Sequence, residues 1–186
     1  MIISHKKKFI LLMVPKCASM SMRMSLNDIN DEKNLPKKQN GRLKHHANVN
    51  LIDFNYSDYF VAAFVRNPFD RIVSSYNHLV RTSKFNLTDV GFEEFINRWP
   101  DRHPRQYGLF FKSSHHWAKN ATKVYRFENL HNEFDKMCKD AGIGNIELLK
   151  SENKHEIVLE SYYNEDLIKR VMRIFKDDVD NYEYRY

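Results

Sequence analysis

Two uninterrupted apolar runs constrain this chain more than any other feature. Phe9 to Val14 and Tyr59 to Val65 hold no charged or small polar residue. Neither alternates, so neither suits a strand with one wet face. Each fits a strand buried on both faces of a parallel sheet. Thr122 to Phe127 is a weaker strand candidate. Helical spacing follows or intervenes: Phe92, Phe95, Ile96 and Trp99 form one stripe, and Leu130, Phe134, Met137 and Ala141 form another, with Gly142 placed as a C-terminal cap. A further helix over Leu167, Ile168, Val171, Met172 and Phe175 starts well at Asn164-Glu165-Asp166. Strands alternating with helices define an α/β sandwich with a mainly parallel sheet.

The first run follows Lys6-Lys7-Lys8 and so imitates a signal peptide. It is too short for one, and far too short to span a bilayer, and Pro15-Lys16 interrupts it. A buried strand is the better reading, and with it a soluble, cytoplasmic protein. The 186 residues, 42% hydrophobic and 29% charged, suit one domain over residues 1–186 and exclude a disordered or collagen-like chain. Cys17 and Cys138 are the only cysteines, too few for a disulfide framework. Asn27 to Lys44, rich in Asn, Lys and Asp, is expected to be a mobile surface loop. The net charge of +6 favours an anionic partner without choosing among nucleotide, phosphate, acidic glycan or nucleic acid.

Both apolar runs lead into polar segments suited to anions. After the first come Pro15-Lys16-Cys17-Ala18-Ser19-Met20-Ser21 and a helix-competent stretch. A strand, a small-residue loop and a helix start cradle an anion with backbone N–H groups, and a lysine adds full charge. Ser19 and Ser21 can equally serve as helix caps. The pattern GxxxxGK[ST] is absent, so this is not a Walker A loop. After the second run comes Arg66-Asn67-Pro68-Phe69-Asp70-Arg71-Ile72-Val73-Ser74-Ser75-Tyr76. Asn67 fits an N-cap and Pro68 the first helical turn. Ile72, Val73, Tyr76, Leu79 and Val80 make one apolar stripe expected against the sheet, with Ser74 on nearly the opposite side. Open α/β sheets bind ligands at the carboxyl ends of their strands, so the two segments are expected to face one crevice.

The pair VPKCASMS and FVRNPFDRIVSSY resembles the two nucleotide-binding motifs of sulfotransferases that use 3′-phosphoadenosine 5′-phosphosulfate (PAPS), in particular the carbohydrate-type branch of Golgi and bacterial enzymes. The first family motif, PKTGSTS or similar, holds the 5′-phosphosulfate. The second, R(N/D)PxxRxxSxY, holds the 3′-phosphate through its Arg and Ser, and Arg66 and Ser74 stand in its spacing. VYRFENL resembles the family's RFE(N/D)L segment, and IKRVMRIFKDDVDNYEY resembles its C-terminal helix and aromatic end. The chain departs from the pattern at Ala18, where the family has Gly, and at Met20, where it has Thr.

The resemblance implies a P-loop-NTPase-like three-layer sandwich and sulfuryl transfer from PAPS to a hydroxyl or amine, with a carbohydrate as the acceptor class. It implies a donor site of Lys16, Cys17, Ala18, Ser19, Met20, Ser21, Arg66 and Ser74, in which Cys17 replaces a threonine and Lys16 also acts in catalysis. No metal is required. Family members place a general-base His between the motifs, which points to His46 ahead of His45. Arg71 is expected in a structural ion pair, and Arg126 and Glu128 in stitching the third strand to its neighbours. The segment carrying His103, Gln106, His115 and His116 is a candidate acceptor wall, and Lys37, Lys38, Arg42 and Lys44 candidate attractors of an acidic glycan. No nucleic-acid partner and no membrane span are expected. The competing readings are a nucleotide-binding relative without turnover, a P-loop small-molecule kinase, and a non-catalytic basic binding module.

Overall fold

The computed structural model describes residues 1–31, 46, 49, 52, 54–82, 89–102, 108–149 and 158–186. Its chain divides into two compact units, Met1–Val65 with Trp117–Asn153 and Arg66–His116 with Lys154–Tyr186.

The first unit is built on a four-stranded sheet, β1 (Ile2–Ser4), β2 (Phe9–Leu12), β3 (Phe60–Val65) and β4 (Lys123–Arg126), lying in sequence order. β1 runs antiparallel to β2, while β2, β3 and β4 are mutually parallel. The sheet is therefore mainly parallel, in the α/β class expected. All of β2 and all of β3 but Phe60 are buried, which is why these segments read as continuous apolar runs. β1 is the addition that periodicity did not reveal. The lysine run forms its turn to β2, with Lys8 at φ 50° and its ammonium 3.1 Å from Asp58. Residues 27–31 of the lysine-rich loop lie beside that hairpin: the Asp31 carboxylate accepts the His5 N–H at 2.7 Å, and Asn30 accepts that of Ile3 at 3.2 Å. Residues 32–44 lie outside the described set.

Helix α1 (Ser19–Ser25) follows β2 in this unit, and α5 (Leu130–Asp140) follows β4. Beyond α5, Gly142 takes φ 62°, and the N–H groups of Gly142 and Ile143 bond back to Lys139 and Cys138. This is the glycine-dependent helix stop expected there. Asp140 at the end of α5 links that helix to β4. Asp140 accepts bonds from the Lys123 ammonium and the Tyr125 hydroxyl, each at 2.7 Å.

The second unit is helical: α2 (Pro68–Arg81), α3 (Phe92–Arg102), α6 (Glu165–Ile174) and α7 (Lys176–Tyr182). Short helix α4 (Ser114–Ala118) crosses the boundary between the units in sequence. The apolar stripe of α2, expected against the sheet, contributes Ile72, Val73 and Leu79 to a core with Phe95 and Trp99 of α3, Val171 of α6 and Phe175. Asn67 and Asn164 cap α2 and α6 by accepting from Phe69 and Leu167.

Asp140 generates a pH prediction. The Lys123 ammonium first, then the Tyr125 hydroxyl, hold its carboxyl below the ordinary carboxylate range. The stability this contributes is complete above about pH 4 and is lost as pH falls through the depressed value. Asp140→Asn should lower the melting temperature at neutral pH and flatten its decline in acid. Parallel acid limbs for wild type and variant would contradict this origin.

Candidate functional site

β2 gives way to the first polar loop through Met13 and Val14, both buried. The loop then turns through two left-handed residues, Lys16 at φ 65° and Ala18 at φ 56°. Left-handed backbone costs an L-residue with a Cβ roughly 1–2 kcal/mol, a cost glycine avoids. Ala18 thus occupies a glycine-type conformation at the position where the related motif carries glycine. It is also the N-cap of α1, and no side chain caps that helix start.

The loop sorts its side chains by burial. Cys17 is 2% exposed, its thiol lies 3.7 Å from the Pro15 carbonyl, and its N–H bonds to Val14. Ser21 is 7% exposed, Lys16 and Ser19 are half-buried, and Met20 is 53% exposed. Lys16, Ser19 and Ser21 are therefore the loop's polar groups, while Cys17 packs inward and Met20 faces solvent.

His46 joins this loop at its root. Its Nδ1–H donates to the Met13 carbonyl at 2.7 Å. A carbonyl can only accept, so Nδ1 carries the proton and Nε2 is the basic nitrogen of the neutral ring. A backbone acceptor has no signature in a sequence, and this bond was not legible there. His45 lies outside the described residues, as do His103, Gln106, Lys37, Lys38, Arg42 and Lys44.

In the helical unit, Arg66 directly follows β3. Its guanidinium is 13% exposed and 3.8 Å from the Asp70 carboxylate, one turn on. Ser74 is half-buried on α2, whereas the next residue, Ser75, is buried and donates to the Arg71 carbonyl at 2.9 Å. Arg71 points the other way, into the core. It is fully buried, donates to the Lys112 carbonyl at 2.7 Å and lies 3.6 Å from the equally buried Asp178 carboxylate. The expected structural ion pair is present with a partner far along the chain. Arg71, Ser75 and Leu79 repeat at four-residue spacing, a buried-face signal that the arginine's charge disguises.

The candidate acceptor segment is held by the same carboxylate. Asp178 accepts the backbone N–H groups of Ser114 and His115, each at 2.7 Å. Lys112 Nζ donates to His116 Nε2 at 3.1 Å, and both residues are half-buried. Among the described residues no three His, Cys, Asp or Glu side chains gather as a metal site, and no helix is long and apolar enough to cross a membrane.

The first two parallel strands of a mainly parallel α/β sheet each run into a cationic, hydroxyl-bearing segment. The family follows from comparison. A model of the sulfotransferase family matches residues 1–185, and this chain belongs to that family. The fold is shared with the crystal structure of a sulfotransferase from Alicyclobacillus acidocaldarius, at TM-score 0.54 and 15% identity over 96% of each chain. No curated protein matches the sequence.

The left-handed loop yields a direct prediction. Ala18→Gly should remove the Cβ cost and raise unfolding free energy by up to about 1 kcal/mol, less what glycine adds to the unfolded chain's freedom. Urea denaturation measures it, and a clear loss of stability would contradict the left-handed assignment.

Proposed function

We propose that this protein transfers a sulfuryl group from PAPS to a hydroxyl, or an amine, of an acceptor, with a carbohydrate as the acceptor class. The observation that supports this most is the pairing of β2 with β3. They are parallel neighbours with Leu12 opposite Ala63, so both carboxyl ends lie at one edge of the sheet. Lys16 follows one end in the chain and Arg66 the other.

The residues fit a doubly anionic donor. Lys16, Ser19 and Ser21 supply one ammonium and two hydroxyls at an α1 start that lacks a side-chain cap. They suit the 5′-phosphosulfate. Arg66 and Ser74 suit the 3′-phosphate, the guanidinium able to bind it through two parallel bonds. The Arg66 guanidinium lies 3.8 Å from the Asp70 carboxylate, one turn on along α2.

When bound, the donor supplies a sulfuryl group whose bond to the 5′-phosphate breaks as one to the acceptor oxygen forms. Lys16 balances charge on the leaving phosphate. His46 Nε2 takes the acceptor's hydroxyl proton, its Nδ1–H anchored on Met13 so that the ring holds one orientation. As in phosphoryl transfer, position and charge carry most of the catalysis. The exposed Met20 removes one hydroxyl from the related motif, and Ser19 and Ser21 remain to serve.

Two experiments test this reading. In thermal-shift titration, adenosine 3′,5′-bisphosphate at ~100 times its Kd should add roughly 2.7 kcal/mol of stability, well beyond the effect of AMP or ATP at equal concentration. Arg66→Ala and Ser74→Ala should each erase that advantage. Equal stabilisation by ATP would favour the kinase reading, and no shift with any nucleotide would favour the binding module. Separately, His46→Asn should lower kcat by roughly 10²–10⁴-fold with little change in bisphosphate affinity. A variant turning over at the wild-type rate would remove His46 from the mechanism.

A further inference from the structure

Asn67 stands between Arg66 and the first residue of α2, and its amide makes two bonds at once. Oδ1 accepts the Phe69 N–H at 3.0 Å as the helix cap, while Nδ2 donates to the Arg185 carbonyl at 2.8 Å. Asp or Ser would cap as well, but a carboxylate brings no donor and a hydroxyl lacks the amide's second arm. Beside it the Tyr186 ring meets Phe69 edge-on, with centroids 5.1 Å apart, and also Tyr163 at 5.2 Å. Tyr163 in turn donates to the Phe69 carbonyl at 2.9 Å.

One turn further along α2, the second contact is the buried pair of Arg71 and Asp178. The Arg71 guanidinium lies over the Phe175 ring at 4.9 Å. Asp178 and Arg185 belong to one short stretch, and the residue that turns the chain between them is Glu183, at φ 55°. A left-handed glutamate persists only where its surroundings over-determine it. Here the flanking contacts do so, α7 on one side and the buried Tyr184 with the Asn67–Arg185 bond on the other.

We propose that the stretch Asp178–Tyr186 is a positioning brace for the 3′-phosphate motif, acting through Asn67 and Arg71 to fix Arg66 and Ser74; this rests on the donor reading given above. The two contact points fall inside the motif: Asn67 adjoins Arg66, and Arg71 lies about one helical turn before Ser74. The stretch touches no donor group itself. It sets the backbone from which the two donor groups project, and bidentate phosphate binding is sensitive to small misplacement of the guanidinium.

Binding by calorimetry separates positioning from general stability. Wild type, Asn67→Ser and Asp178→Asn are each titrated with adenosine 3′,5′-bisphosphate and with AMP, which lacks the 3′-phosphate. Asn67→Ser keeps a capping oxygen and gives up the amide donor. It should melt close to wild type, bind bisphosphate about five-fold more weakly, and bind AMP within about two-fold of wild type. Asp178→Asn leaves a buried guanidinium without its counter-charge and should show the larger bisphosphate loss along with a lower melting temperature. If it does not fold, Asn67→Ser alone decides.

Unchanged bisphosphate affinity in Asn67→Ser overturns the brace while leaving the donor reading intact. Equal losses for bisphosphate and AMP overturn it too, since the effect would then not be confined to the 3′-phosphate. A wild type with no preference for bisphosphate over AMP overturns the donor reading, and the brace with it.

Discussion

The backbone ladder between β2 and β3 sets Phe9 against Phe60 and Leu12 against Ala63, so the two strands start level and point their carboxyl ends to one edge, β3 running two residues further. Parallel pairing demands a long crossover and a sheet covered on both faces. Those demands account for the two uninterrupted apolar runs and for the long segment between them. They also separate two jobs along the chain. Strand residues are consumed by burial, and in the proposed function the chemistry falls to the segments that leave the carboxyl edge. Lys16, Ser19 and Ser21 follow one strand, and Arg66 and Ser74 follow the other.

Those segments are built with polar anchors instead of glycine. The loop after β2 turns through Lys16 and Ala18 in left-handed conformation, and His46 is tied to its root through the Met13 carbonyl. In the helical unit a side-chain amide caps α2 and a buried guanidinium is compensated by Asp178. A buried ion pair of this kind is a poor source of net stability, because desolvating both charges offsets their attraction. Its value lies in geometry: Asp178 holds Arg71 and two backbone N–H groups at 2.7 Å, and so joins α2, α7 and the start of α4.

Much of this was legible from residue pattern alone. β2 and β3 lie within the apolar runs, β4 lies within the weaker Thr122–Phe127 segment, and α3, α5 and α6 lie where the stripes placed them, with the Asn67 and Asn164 caps and the Gly142 stop all in place. β1 escaped because three residues beside a lysine run carry too little periodicity, and its strand character comes from pairing with β2. The α2 stripe was seen, but its partners were not, since amphipathicity specifies a buried face without naming what covers it. The anchors of Arg71 and His46 were hidden for a different reason. One is a carboxylate more than a hundred residues away and the other a main-chain carbonyl, and neither leaves a local trace.

The central claim is sulfuryl transfer, and turnover tests it most directly. Sulfur-labelled PAPS is incubated with wild type or Lys16→Ala and a panel of neutral and acidic oligosaccharides, following label into acceptor and release of adenosine 3′,5′-bisphosphate. The account predicts equimolar label transfer and bisphosphate release for at least one acceptor with wild type, and loss of both with Lys16→Ala. Tight bisphosphate binding with no transfer to any acceptor in the panel would contradict it, leaving a protein that holds the donor nucleotide and does not use it.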